Sequence, residues 1–231
     1  MEIVEELITR RLQPGDRLPS EADMLAQFDV GRASLREGLR LLETYGVLAI
    51  RTGQGGGPGV TDLSPEDLAR TLSLYFRVTG ATYGDIIEAR MIIDPVVAKL
   101  AAERNDVAAQ SGVRAALRRE ALGESGPRTS YDDQAGADFH RAVTAASGNP
   151  VLIFFARSLR LLYAEHLHRR GVFPQEVQDV MPDLHAAIGQ AIFDGDGDRA
   201  QNLMLTLVRD FATVQRQQTP WLMDERVNWI V

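Results

Sequence analysis

The stretch Val30-Gly31-Arg32-Ala33-Ser34-Leu35-Arg36-Glu37-Gly38-Leu39-Arg40-Leu41-Leu42 carries two interleaved patterns. Leu35, Leu39 and Leu42 recur at i, i+4 and i+7, the inward stripe of an amphipathic helix. Arg32, Arg36 and Arg40 form a second stripe beside it, spanning about 80° of circumference at 3.6 residues per turn. The helix is predicted to run from Arg32 to about Tyr45 and to end on Gly46. Guanidinium groups on one face of such a helix can grip phosphate or make paired contacts to guanine O6 and N7 in a major groove. Ser34 offers a further contact. The competing explanation is a solvated face whose arginines pair with Glu37 and Glu43.

Working outward, Ser20 stands before Glu21-Ala22-Asp23 as the cap of a preceding helix, with Leu25 and Phe28 on its buried side. A three-residue break, Asp29-Val30-Gly31, separates the two helices in the manner of a helix-turn-helix. Further upstream, Ile3, Val4, Leu7 and Ile8 define a helix ending near Leu12, ahead of Pro14-Gly15. Downstream, Val47–Arg51 and Val60-Thr61 read as paired strands around the glycine-rich tip 52–59. This hairpin has the form of a wing, with Gly53 and Gln54 at its tip as further DNA-contact candidates. A phosphate-cradling nucleotide loop is the rival for the glycines, but the Gly-Lys-Ser/Thr ending and a helix directly after it are missing.

Charge constrains these readings. The 231-residue chain has 25 basic and 32 acidic residues, a formal net charge of -7, so nucleic acid must be held by a local patch. Residues 1–62 hold seven arginines and ten acids, a balance of 7 - 10 = -3, which favours the solvated face; the positional stripe favours DNA. Lys99 is the single lysine. Cysteine is absent, which excludes disulfides, thiolate metal sites and cysteine nucleophiles. No apolar run approaches the ~20 residues of a membrane span, and MEIVEELITRR is unlike a signal peptide. A cytoplasmic location is the default expectation.

From Ser64 onward only helices are predicted, near 65–77, 83–104, 106–122, 130–147, 150–170, 173–194 and 196–217. Short Gly, Asn and Pro breaks separate them, as in an antiparallel bundle. The fold class is therefore mainly α: a winged helix-turn-helix with a small β-hairpin over 1–62, and an all-α effector-binding and dimerisation domain over 63–231. Arg90 shares a helical face with Ile86, Ile93, Val97 and Leu100, so its cation points inward and needs an anionic partner. That partner is Asp94 one turn on, another internal acid, or a bound carboxylate. Pro95 removes one backbone bond from the same helix. Asn149 is read as the cap of the helix starting at Pro150.

The segments Leu12–Glu21 and Val30–Leu39 closely resemble the GntR family of bacterial repressors. The helical remainder resembles its FadR-like branch with an FCD effector domain, through Glu88–Pro95, Asp138–Val143, Ser147–Pro150, and His185–Ala191 with Asp196 and Ala200. The resemblance implies a homodimer on an imperfect palindrome of double-stranded DNA, contacted by Arg32, Ser34 and Arg36, with Gly53 near the minor groove. It implies a transcriptional regulator rather than an enzyme, and a small-molecule effector, an organic acid, near Arg90, His140 and His185. Two departures stand out: Ala22 replaces a backbone-contacting arginine, and Gly31 replaces a serine cap. The family's first helix also starts further upstream than Met1.

Relatives commonly hold a divalent metal with one aspartate and three histidines. Two of these positions match His140 and His185, but Gly136 and Leu207 occupy the others. The metal site is therefore expected to be degenerate, with no tightly bound ion; a solvent-completed site using Asp133 is the alternative, and core histidines bonded to neighbours are another. Two functions outside this class compete with the regulator. An enzyme with His140 and His185 as acid and base lacks any nucleophile or metal motif, and a ligand-independent architectural or dimerisation module would be ruled out by saturable thermal stabilisation by a metabolite.

Overall fold

The computed structural model describes residues 2–51, 53, 56–123, 137–172 and 175–230. The chain divides into two compact units, Met1–Asp67 and Leu68–Val231. The first contains α1 (Glu2–Thr9), α2 (Glu21–Phe28), α3 (Arg32–Thr44), and the antiparallel strands β1 (Leu48–Arg51) and β2 (Gly57–Val60). Its core is Leu7, Leu18, Met24, Leu35, Leu39 and Leu48. Met24, fully buried, anchors α2; the expected Leu25 and Phe28 are only half-buried at its flanks. Ser20 caps α2 by accepting from the Asp23 amide at 3.2 Å. Gly31 begins α3 with no side-chain cap, and Gly46 follows its end at φ 71°, a backbone that favours glycine.

The wing differs from the sequence expectation in one respect. Its second strand starts at Gly57, inside the stretch assigned to the tip, and pairs Pro58 with Ile50 and Gly59 with Ala49. Pro58 is tolerated because β2 has a neighbour on its other side: the Leu18 amide donates to the Pro58 carbonyl at 3.0 Å, and the Val60 amide to Asp16 at 2.8 Å. The first helix also stops at Thr9 rather than near Leu12; Arg11 at φ 52° turns the chain away.

The second unit is built from α4 (Pro65–Thr79), whose start lies before the unit boundary, α5 (Tyr83–Arg104), α6 (Val107–Ala121), α7 (Ala137–Ala146), α8 (Pro150–Arg170), α9 (Gln175–Phe193), α10 (Gly197–Gln218) and α11 (Pro220–Asp224). Expected helical residues 130–136, 173 and 174 lie outside the described residues. Helix α5 is the hub and packs against α7, α8, α9, α10 and α11. Thr82 and Asp85 form a capping box at its start, Asn105 closes it in the left-handed region, and Pro95 is buried within it. Asn149 caps α8 as expected, accepting from the Val151 and Leu152 amides. Sequence reading missed α11; Pro220 at its first turn marks it. The tail after α11 is fastened to α4, to α5 and to the turn between them, by Ile230 N–H to Ser73 Oγ, Asn228 N–H to Tyr83 Oη and Val227 N–H to the Ala81 carbonyl. No described helix is long and apolar enough to cross a membrane.

Candidate DNA interface and ligand cavity

Helix α3 buries Leu35 and Leu39, half-buries Leu42, and leaves Arg32, Ser34, Arg36 and Arg40 exposed. The expected competitors do not take these arginines. Among the described residues Arg32 and Arg40 form no ion pair, and Glu43 instead accepts from the Ile50 amide at 3.1 Å, tying α3 to the wing. Arg36 does find a partner, Glu21 of α2, at 3.0 Å from Nε. That pair is solvent-exposed, with 68% of the Arg36 side chain accessible, so a phosphate can displace the carboxylate at a cost of at most about 1 kcal/mol. Between α3 and the wing lies a groove of about 860 Å³ lined by Arg17, Arg36, Arg40, Glu43 and Pro58. Gly53 stands at the wing tip at φ 105° with open space around it, so the backbone there can approach a duplex closely. Gln54 lies outside the described residues. Arg17 and the exposed Arg51 flank the wing as additional cations; neither has a helical stripe to signal it.

Within the second unit, α5, α7, α8, α9 and α10 enclose a cavity of about 30 Å³, lined by Arg90, His140, Arg160, Tyr163, Met181 and Leu207 among others. Arg90 is 5% exposed and donates from Nε and Nη2 to Asp94 Oδ2, at 3.1 and 2.9 Å. Its guanidinium carbon also lies 5.9 Å from the centre of the Tyr163 ring. The intrahelical partner that the sequence offered is thus engaged, while the same arginine lines the cavity. Arg160 of α8, not singled out from sequence, adds a second guanidinium. His140 also faces this space. His185 does not line it, but is fully buried behind His140, with the two Nε2 atoms 3.3 Å apart. Glu120 of α6 holds the far side of His185, Oε1 lying 2.8 Å from Nδ1, and Phe139 stacks on its ring at 4.2 Å. No sequence spacing pointed to Glu120, because the contact joins helices 65 residues apart.

The family's divalent ion fits these residues poorly. Two imidazole nitrogens face each other, Leu207 contributes only methyl groups, and Gly136 and Asp133 lie outside the described residues. Asp138 is engaged by Arg119 and Arg141 instead. Among the described residues no group of three His, Asp or Glu side chains is disposed to hold a metal. Burial, then the charges of Arg160, His185 and Arg90, push His140 well below the usual imidazole range. Two nitrogen donors under that positive potential are a poor ligand set for a hard dication.

A second buried imidazole reports on acid stability. His166 is fully enclosed, stacks on Tyr83 at 3.5 Å, and is lowered to about 4 by burial and then by Arg170 and Arg169. Glu225 Oε2 lies 3.0 Å from its Nε2, but neither ring nitrogen has a well-aligned hydrogen bond, and Arg170 shares that carboxylate. The neutral ring is favoured in the fold, and an unfolded histidine titrates near 6.5. Stability from this group is therefore complete above about pH 6.5 and is lost as pH falls toward 4. Urea unfolding should show a loss of roughly 2–3 kcal/mol from His166 between pH 7 and 4.5. The substitution His166→Phe, which keeps the stacking, should flatten that slope; an unchanged slope would count against the assignment.

A helix-turn-helix with an exposed arginine stripe and a wing, joined in one chain to a cavity-bearing helical bundle, defines a DNA-binding transcriptional regulator. Family profiles agree: residues 1–56 match "Bacterial regulatory proteins, gntR family" and residues 85–210 match "FCD domain". The chain belongs to the GntR family of regulators with an FCD domain, and these are regulators rather than enzymes. It is 30% identical to the putative L-lactate dehydrogenase operon regulatory protein of Escherichia coli, over 85% of this chain and 76% of that one. It is 29% identical to the HTH-type transcriptional repressor NanR of Klebsiella aerogenes, over 93% and 85%. Among solved structures, a GntR protein of Streptococcus agalactiae has the same fold, with a TM-score of 0.65 at 21% identity over 93% of this chain and 96% of that one.

Proposed function

We propose that this regulator is a cytoplasmic repressor which binds an imperfect palindrome as a homodimer and is switched by a small carboxylate metabolite, without a resident metal. The observation that carries the ligand class is the convergence of buried Arg90, half-buried Arg160 and a buried, neutral His140 on one cavity. A guanidinium can grip a carboxylate with paired hydrogen bonds, as Arg90 already does with Asp94. His185 and Glu120 act from behind by fixing His140, so His185 is a positioning residue for the ligand rather than a direct contact. The relative named for a lactate dehydrogenase operon supports a short carboxylic acid.

The cavity of about 30 Å³ holds roughly two waters, so a ligand of three or four carbons requires the helices to part. Such a ligand favours the open arrangement by its differential affinity, and only that difference can alter the DNA-competent population. Arg32, Ser34, Arg36 and Arg40 of each protomer, with Gly53 and Gln54 of each wing, would read the two half-sites. The test is a fluorescence titration of the purified full chain against a palindromic operator, repeated with lactate, glycolate and acetate. One of these acids should change operator affinity at least about fivefold and raise the melting temperature, with Arg160→Ala losing both effects. If operator binding is sound but no carboxylate alters either quantity, the ligand assignment fails.

A further inference from the structure

Helix α4 is the stretch of chain that joins the two units, and its grip on the helical unit is narrow. Among the described residues no other helix runs beside it at close backbone range over any length. Ala69 and Ser73, one turn apart, are wholly enclosed, while Leu74, Tyr75 and Val78 are exposed. Much of what meets the enclosed stripe comes from the segment after α11. Ile230 N–H donates to Ser73 Oγ at 3.1 Å, and Val227, itself fully buried, shares a core cluster with Ala69.

Residues 225–230 run antiparallel to the turn before α5. Tyr83 N–H donates to the Glu225 carbonyl at 3.0 Å and Val227 N–H to that of Ala81 at 2.9 Å, with Arg226 bridged to Thr82 between them. Asn228 N–H then reaches Tyr83 Oη at 3.1 Å. Gly84 permits this approach, since a Cβ there would stand 3.0 Å from the Met223 carbonyl. The near end of the segment is moored to α8 by Glu225, whose carboxylate Arg170 engages. The mooring also touches the ligand cavity. Tyr163, which lines that cavity, sets its hydroxyl 3.8 Å from Met223 Sδ and its ring edge-on to Tyr83 at 6.3 Å. A ligand that widens the cavity therefore presses on a wall against which both anchors of the segment lean.

We infer that residues 225–230 are a strap that fixes α4 to the helical unit, and that its seating or release passes the state of the ligand cavity to the DNA-binding unit. The passage of a ligand signal rests on the carboxylate reading above; the hold on α4 does not. Continuity of contacts is not coupling, so the strap has to be released and operator binding measured.

Val227→Asp puts an unpartnered carboxylate into a fully enclosed position and should expel the strap. In the full chain, amide exchange over α4 should then speed at least about tenfold while α10 keeps its wild-type protection. Operator affinity without ligand should fall at least about tenfold, because the DNA-binding units meet the half-sites on loose tethers. The salt slope should keep its wild-type value, since no DNA contact is lost. Should Val227→Asp fail to fold, Tyr83→Phe/Ile230→Pro removes one acceptor and one donor of the strap and leaves a ring on His166. It should move both quantities at least about threefold, and Ile230→Val, which keeps the N–H, should behave as wild type. Wild-type exchange over α4 in the released variants, or unaltered operator affinity, overturns the inference. A fall in affinity with a flatter salt slope assigns the effect to the DNA contacts and overturns it as well. Lactate, glycolate and acetate supply the last arm. An acid that shifts wild-type operator affinity should still raise the melting temperature of Tyr83→Phe/Ile230→Pro, with its effect on affinity cut below about twofold; an undiminished effect removes the strap from the signal. Silence of every acid on the wild type overturns the ligand reading alone, because the exchange and operator arms need no ligand.

Discussion

Arg32→Ala/Arg40→Ala is expected to lower operator affinity by at least about 100-fold while leaving the melting temperature within about 1 °C of wild type. Neither side chain has an ion pair among the described residues, and both are exposed, so their removal costs the fold almost nothing. In a dimer the double substitution removes four guanidiniums from the interface. A paired contact to guanine is worth about 1–3 kcal/mol of discrimination, and each lost phosphate contact lowers the salt slope by about 0.9. Binding measured from 50 to 300 mM salt separates these cases. Phosphate-holding arginines flatten the slope by up to about 3–4 for four lost contacts, whereas base-reading arginines erase the preference for operator over random duplex with a smaller change in slope. Glu21→Ala gives the opposite arm: releasing Arg36 from its carboxylate should raise affinity a few-fold at low salt. If the double variant binds with unaltered affinity and salt slope, α3 is not the reading helix.

The contrast between Arg36 and Arg90 shows what sequence can and cannot carry. The helical period put the arginines of α3 on one face and Leu35 and Leu39 on the other, because both patterns are local and obey one geometry. The same reasoning sent Arg90 inward and offered Asp94 one turn away. Glu21 was invisible as a partner of Arg36, since it reaches across the turn from α2 and no spacing encodes that approach. Arg160 and Glu120 were missed for the same reason. Each gains its meaning from helices distant in sequence, and on its own helix each looks like an ordinary charge. The wing shows a different limit: Gly57-Pro58-Gly59 has poor strand propensity and is held in β2 by backbone bonds from residues 16–18. Tertiary pairing overrode the local signal.

Asp94→Ala should be the most damaging single change in the helical unit, at about 3–5 kcal/mol. Asp94 is 8% exposed and holds a guanidinium that is itself 5% exposed. Removing it leaves a buried cation on a cavity shared with Arg160 and a neutral His140, its guanidinium carbon 5.9 Å from the centre of the Tyr163 ring. In a chain of this size each kcal/mol shifts the midpoint by about 2–4 °C, so the transition of this unit should fall by roughly 6–20 °C. Arg90→Met/Asp94→Ala should recover most of that loss, because neither charge is then stranded. Acetate adds a decisive arm. If Arg90 can grip an external carboxylate, millimolar acetate should stabilise Asp94→Ala well beyond its effect on the wild type and do nothing for the double variant. A loss below about 1 kcal/mol for Asp94→Ala would show that solvent reaches Arg90 freely. The cavity would then lack the dry, cationic wall on which recognition of a small acid depends.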